Sequence, residues 1–142
     1  MAKTGKIPNR CIEKTTDLRI VFQEKGKKIT FLNKRRIPIR KITVDGCAIT
    51  AGIRCDYLVL NNKDDEFFIE LKGADVKHAC DQLLTSIGKL SASPNQKLKY
   101  SFIISSRIAP AINTTIQNLK AQFKKGFNCI LVIKNQQIDF EL

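Results

Sequence analysis

Apolar positions recur along this chain with two periods, and the switches between them set out an order of elements. Leu18-Arg19-Ile20-Val21-Phe22 and Ile29-Thr30-Phe31-Leu32 have the composition of strands, with Glu24-Lys25-Gly26-Lys27 as the turn between them. Residues 33–36 make a second turn. The stretch 36–44 then alternates basic and apolar residues, so that one face packs and the other is cationic, and Pro38 favours an edge position for it. Two further apolar runs, Tyr57-Leu58-Val59-Leu60 and Phe67-Phe68-Ile69-Glu70-Leu71-Lys72, flank a short polar segment at 61–65, which predicts a hairpin of residues 54–60 with 66–72.

After this hairpin the period changes. Val76, Ala79, Cys80, Leu83, Ile87 and Leu90 fall on one helical stripe, with Asp75 placed as the N-cap and His78 and Gln82 on the flank. His78, the only histidine, reads as a solvent-facing helical residue. A loop at 91–96 leads to a strand over 98–105. A second helix is expected from about Pro110, with Ile112, Ile116, Leu119 and Phe123 buried and Gly126 as its stop. Cys129 to Ile133 is an unbroken apolar run, as in a strand covered on both faces, and 137–142 adds a last edge strand. The order predicts an α+β fold in one domain over 1–142. Its core, 42–142, is a central mixed β-sheet flanked by helices, and 1–41 is a basic β-hairpin extension.

The chemistry concentrates at Glu70-Leu71-Lys72. In a strand Glu70 and Lys72 share one face while Leu71 points to the other, and the predicted hairpin brings Asp56 from the adjacent strand to the same end. Two carboxylates about 4 Å apart repel by roughly 4 kcal/mol at an effective dielectric of about 20, a cost that a divalent cation between them removes. Hard oxygen ligands of this kind suit Mg²⁺ or Mn²⁺ better than zinc. A cation held there polarises a phosphoryl oxygen and acidifies a bound water, while a neighbouring lysine orients that water or stabilises charge on the phosphate, so the chemistry implied is phosphodiester hydrolysis.

Glu-x-Lys is a common tripeptide, and it carries a signal here through the ordered set around it. Cys55-Asp56 opens one apolar run, a short polar loop follows, Phe67 to Lys72 closes the second run, and a helix with Gln82 comes next. Over about residues 42–105 this order resembles the PD-(D/E)xK superfamily, the restriction-endonuclease-like phosphodiesterases, with Asp56, Glu70 and Lys72 matching the motif. The resemblance implies a restriction-endonuclease-like core with Asp56 and Glu70 as metal ligands and the Leu71 carbonyl as a third. It also implies Lys72 as the water-orienting or phosphate-stabilising base and Gln82 as a supporting residue. Cys55 stands where the family often has proline. Glu13, in the segment 9–14, is the only counterpart to a helical glutamate that many members carry, and it reads first as a surface acid. Asp45 is an acid in reserve, although Val44-Asp45-Gly46 is first of all a turn.

The formal charge is +12 and the sequence pI about 9.7. Residues 1–41 hold 13 Lys and Arg against three acids, so nearly all the excess lies there, the footprint of a polyanion-binding protein. Lys34, Arg35, Arg36, Arg40 and Lys41 are the candidates for phosphate contacts with duplex or branched DNA. With no tryptophan and few aromatics in pattern, a stacking platform for single strands is not indicated. The five cysteines are odd in number and form no CxxC, so a full disulfide framework is not expected. Lys3 and Lys6 precede no apolar run typical of a secretory signal, and no run is long enough to span a bilayer, which points to the cytoplasm. Two other readings stand beside the nuclease. One is a catalytically inactive module of the same fold that binds nucleic acid or a partner protein; the other is a Holliday-junction-type resolvase, which needs a homodimer to place two cuts.

Overall fold

The computed structural model describes residues 7–72, 74–106 and 113–142. A turn of 3-10 helix at Asn9–Cys11 leads into β1 (Ile12–Thr15), followed by β2 (Arg19–Glu24), β3 (Lys27–Leu32) and β4 (Ile39–Thr43). Next come β5 (Tyr57–Leu60), β6 (Glu66–Lys72), α1 (Val76–Leu90), β7 (Lys99–Ser105), α2 (Asn113–Phe127), β8 (Cys129–Asn135) and β9 (Gln137–Glu141). The six-stranded sheet has the order β1-β4-β5-β6-β7-β8, antiparallel up to β6 and parallel from β6 to β8. Parallel neighbours need long crossovers, and α1 and α2 supply them. The β2–β3 hairpin joins β9 in a separate three-stranded sheet, with β9 running parallel to β3.

Strand alternation sorts the core into two layers. Ile42, Leu58, Leu60, Phe68, Ile103 and Leu131 pack with Val76, Ala79, Leu83, Ile87 and Phe123 of the helices. The intervening positions Val59, Phe67, Ile69, Phe102 and Ile104 face Ile20, Phe22, Ile29 and Phe31 of the small sheet. Both helices therefore cover one face of the mixed sheet, and the basic hairpin, closed by β9, covers the other. Phe31 sits at the centre of the second layer, with ring centroids 5.6 Å from Phe102, 5.8 Å from Phe67 and 6.0 Å from Phe140.

The predicted hairpins and the first helix form at the expected positions, and Asp75 caps α1 by accepting the His78 N–H at 3.0 Å. Other expectations change. Segment 9–14 is a 3-10 turn and an edge strand, so Glu13 is carried by a strand and not by a helix. That edge strand pairs with β4, which makes β4 internal; Pro38 causes no conflict because it precedes the first paired residue. Helix α2 runs through Gly126 to Phe127, and the left-handed residue after it is Asn128, with φ 51°. The predicted start near Pro110 and the position of Ile112 lie outside the described residues. Strand β8 is a sheet edge, and Ile130 is exposed on it. One disulfide forms, Cys11–Cys47, with Cα atoms 5.7 Å apart, while Cys55, Cys80 and Cys129 are free and buried. Burial pushes the Cys55 and Cys80 thiols up to about 12, so they act as small hydrophobes and not as nucleophiles. Among the described residues no helix is long and apolar enough to cross a membrane.

Candidate active site

The β5–β6 hairpin builds the site at one end of the mixed sheet. Its last registered pair is Tyr57 with Ile69. One residue before β5 the chain bends, so that the Asp56 N–H reaches the Ile69 carbonyl at 3.1 Å while its carboxylate Oδ2 accepts the Leu71 N–H at 2.8 Å. The carboxylate thus stands where a continuing strand would have offered a carbonyl. The Leu71 C=O leaves β6 on the same side as its N–H, toward this open end. Glu70, next to it, faces α1 with Glu66 and Phe68 and is only 3% exposed.

Helix α1 fixes the chain leading into Asp56. Gln82 Nε2 donates to the Arg54 carbonyl at 2.9 Å, and one turn on, Ser86 Oγ accepts the Cys55 N–H at 2.8 Å. On the other side the Asp56 carbonyl accepts the N–H groups of Val44 and Asp45 at 3.0 and 3.2 Å. Cys47, in the same loop, is tied to Cys11. Asp45 itself is held by Arg54 Nε at 2.7 Å, as an ion pair at the rim. Two buried oxygens have no hydrogen-bond partner among the described residues: Glu70 Oε1 and Gln82 Oε1.

Electrostatics disfavour the charged form of both acids. Burial, then the Asp56 charge, push the Glu70 carboxyl up to about 8, against the lowering effect of Lys72 and Gln82. Asp56 is also raised, first by burial, with Glu24 and Asp45 adding to the effect and the Leu71 N–H and Lys72 opposing it. Glu24, from the tip of the β2–β3 hairpin, carries no local signal in the sequence, because only the packing of the small sheet brings it here. Ser86 was within reach of sequence reasoning, since it stands four residues after Gln82 on the same helix face. Lys72 is half-buried and makes no ion pair among the described residues.

The donor set fits a hard divalent cation such as Mg²⁺ or Mn²⁺. It offers a buried Glu70 oxygen, the second oxygen of Asp56 and the Leu71 carbonyl. Among the described residues no three His, Cys, Asp or Glu side chains converge, so the protein side of the shell would be two carboxylates and a backbone oxygen, with water completing it.

Of the sequence-predicted basic residues, Lys34, Arg35, Arg36 and Arg40 lie elsewhere. Arg40 is paired with Leu60, and Thr43 with Tyr57, so Arg40 is about 13 Å along the sheet from Asp56 at a strand rise of about 3.3 Å. It ion-pairs with Asp64 and donates to the Asn61 carbonyl at 3.2 Å. Lys34 pairs with Glu141 at 3.3 Å, and Lys41 with Glu13 at 3.8 Å. Arg35 and Arg36 are exposed at that far end, between β3 and β4. Among the described residues, the exposed cations at the site's own end include Lys25 in the β2–β3 turn, Lys77 in the first turn of α1 and Lys134 on β8.

No family model, curated protein or solved structure matches the chain.

Proposed function

We propose that this chain is a metal-dependent nuclease that hydrolyses phosphodiester bonds in DNA, with Asp56, Glu70 and the Leu71 carbonyl as ligands for Mg²⁺ or Mn²⁺. The observation that carries this reading is the burial of the Glu70 carboxyl beside Asp56 and Lys72 at one strand end, an arrangement that is costly for folding and useful for holding a cation. When bound, the cation supplies Lewis-acid polarisation of a phosphoryl oxygen and acidifies water. Glu70 gives up its proton on loading, and Asp56, fixed through its backbone to α1 and to the 44–49 loop, keeps the ligand geometry. The Lys72 ammonium, on the strand face it shares with Glu70, holds the attacking water or meets the charge growing on the phosphoryl oxygens. Gln82 positions Arg54 and stands against Glu70.

The test is cleavage of plasmid and branched DNA with Mg²⁺ or Mn²⁺, set against Ca²⁺ and EDTA. Lys72→Ala should lower the cleavage rate by roughly 10²–10³-fold, as for loss of a charge-stabilising group, while calorimetry still detects cation binding. Glu70→Ala should lose both. Cleavage that survived Glu70→Ala would overturn the assignment.

A second reading, an inactive binding module, is favoured by one feature: Asp56 already caps the Leu71 N–H, a structural task that needs no metal. It predicts no cation binding at all. The inactive module would bind nucleic acid or a partner protein; where the partner is DNA, salt should expose which cations meet phosphate. Replacing Arg35 and Arg36 by glutamine should flatten the log-log salt dependence of duplex affinity by up to about two units, at about 0.9 per phosphate. Lys34→Gln and Arg40→Gln should change it less, because Glu141 and Asp64 already neutralise them. Equal losses from both pairs, measured by anisotropy titration at several salt concentrations, would contradict this division. Junction resolution falls within the nuclease reading and requires a dimer in solution. A cytoplasmic setting belongs to the same reading, and there the Cys11–Cys47 pair would be open for much of the time.

A further inference from the structure

Three strands cannot cover six, and the uncovered part of the mixed sheet forms a groove. The small sheet ends at β2, while the larger sheet continues under it through β4 to its edge at β1. Between them lies a cavity of about 410 Å³, within the roughly 300–1,000 Å³ range of small-molecule sites. Arg10, Glu13, Gln23, Lys41, Thr43 and Tyr57 line it, with Phe22 alongside.

The lining has the chemistry of a nucleotide site. Phe22 and Tyr57 come from different sheets and meet with ring centroids 4.6 Å apart, and Lys41 Nζ lies 5.5 Å from the centre of the Phe22 ring. Phe22 is buried while Tyr57 is only half-buried, so Tyr57 presents the aromatic surface left open to a ligand. Arg10 supplies positive charge, while Lys41 is shared with Glu13 at 3.8 Å. Gln23, Thr43 and the exposed Glu13 carboxylate supply donors and acceptors of the kind that read base edges. The groove opens at the same end of the mixed sheet as the candidate active site, on the face opposite Glu70, since Tyr57, which follows Asp56 directly, points to the small sheet.

We infer that this groove is a subsite for an unpaired nucleotide of the substrate, its base against Tyr57 and its phosphate on Arg10. The inference rests on the nuclease reading and narrows it. The preferred substrate carries a single-stranded segment next to the scissile phosphate, as in an overhang, a flap or a branch. Duplex ends without such a segment leave the groove empty.

The experiment uses the full chain in EDTA, so that binding is read without cleavage. The probes are a duplex with a short single-stranded overhang carrying one 2-aminopurine and the matching blunt duplex. Stacking should quench the 2-aminopurine fluorescence severalfold at one overhang position, and the overhang duplex should bind about tenfold more tightly than the blunt one. Tyr57→Leu should abolish the quenching and remove that preference, Tyr57→Phe should restore both, and Arg10→Gln should weaken the overhang complex more than the blunt one. Melting curves confirm that each variant is folded. Unchanged quenching in folded Tyr57→Leu, or equal affinity of the wild type for both duplexes, would overturn the inference. The two readings fail separately: cation-dependent cleavage without overhang preference sinks only the subsite, whereas quenching at Tyr57 in a protein whose cleavage survives Glu70→Ala sinks only the active-site assignment.

Discussion

Exchanging Glu70 for glutamine should remove cation-dependent cleavage and, in the same protein, raise the melting temperature. The group is an acid whose folded-state value, about 8, lies above its ordinary 4.5. Between those two values the folded state holds a proton that the unfolded chain has released, so stability falls as the pH rises through this window. The full shift corresponds to about 5 kcal/mol as an upper bound, at 1.36 kcal/mol per unit. Glutamine resembles the protonated acid in size and shape and never ionises. The gain in stability over the wild type should therefore be small near pH 4.5, grow up to pH 8 and level off above it. Thermal unfolding of both proteins from pH 4.5 to 9 reads this difference directly. Cation affinity of the wild type should show the converse dependence, rising about tenfold per pH unit below 8 because loading must expel the Glu70 proton. A variant no more stable than the wild type at pH 9 would mean that Glu70 is hydrogen-bonded as a structural acid and stores nothing for a ligand.

Opening the Cys11–Cys47 bridge should cost about 3–4 kcal/mol of stability, on the chain-entropy relation for a loop closed over a sequence separation of 36. The melting temperature should fall by roughly 10 °C for a domain of this size, whether the bridge is reduced by a phosphine or removed by the Cys11→Ser/Cys47→Ser double change. Cleavage should fall further than the lost stability explains, because Cys47 belongs to the loop whose Val44 and Asp45 N–H groups hold the Asp56 carbonyl. Coincident melting curves with and without reductant would show that the bridge contributes nothing in solution.

The positions of the candidate site's residues in the fold can be read in the sequence because their determinants are local. Asp56, Glu70 and Lys72 belong to one hairpin whose apolar runs and polar loop fix its pairing, and Gln82 follows on a helix whose stripe and Asp75 cap are equally local. The misplaced features share a different cause. Glu13 is the surface acid it reads as, but it stands on a strand and not a helix, because β4 presents a free edge to the four-residue segment Ile12–Thr15. Gly126 looked like the stop of α2, yet Asn128 takes the left-handed turn, supported by its side chain donating to the Gln96 carbonyl at 2.7 Å. Cys129 to Ile133 looked doubly covered because hydrophobicity reports burial in general and not which strand ends a sheet.

The sequence by itself determined the α+β order, the two hairpins, helix α1 with its cap, and the acid-acid-lysine set, since strand period, helix period and turn chemistry act over a few residues. Only the tertiary structure decided that the small sheet closes through β9, that Glu24 approaches Asp56, and that Phe22 and Tyr57 meet across a groove. It also decided that Lys34, Arg35, Arg36 and Arg40 lie at the end of the sheet away from the carboxylates. These features depend on which strand lies beside which and in what register, and pairings between residues far apart in the chain are set by how the packed layers exclude water together, which no short stretch of sequence encodes.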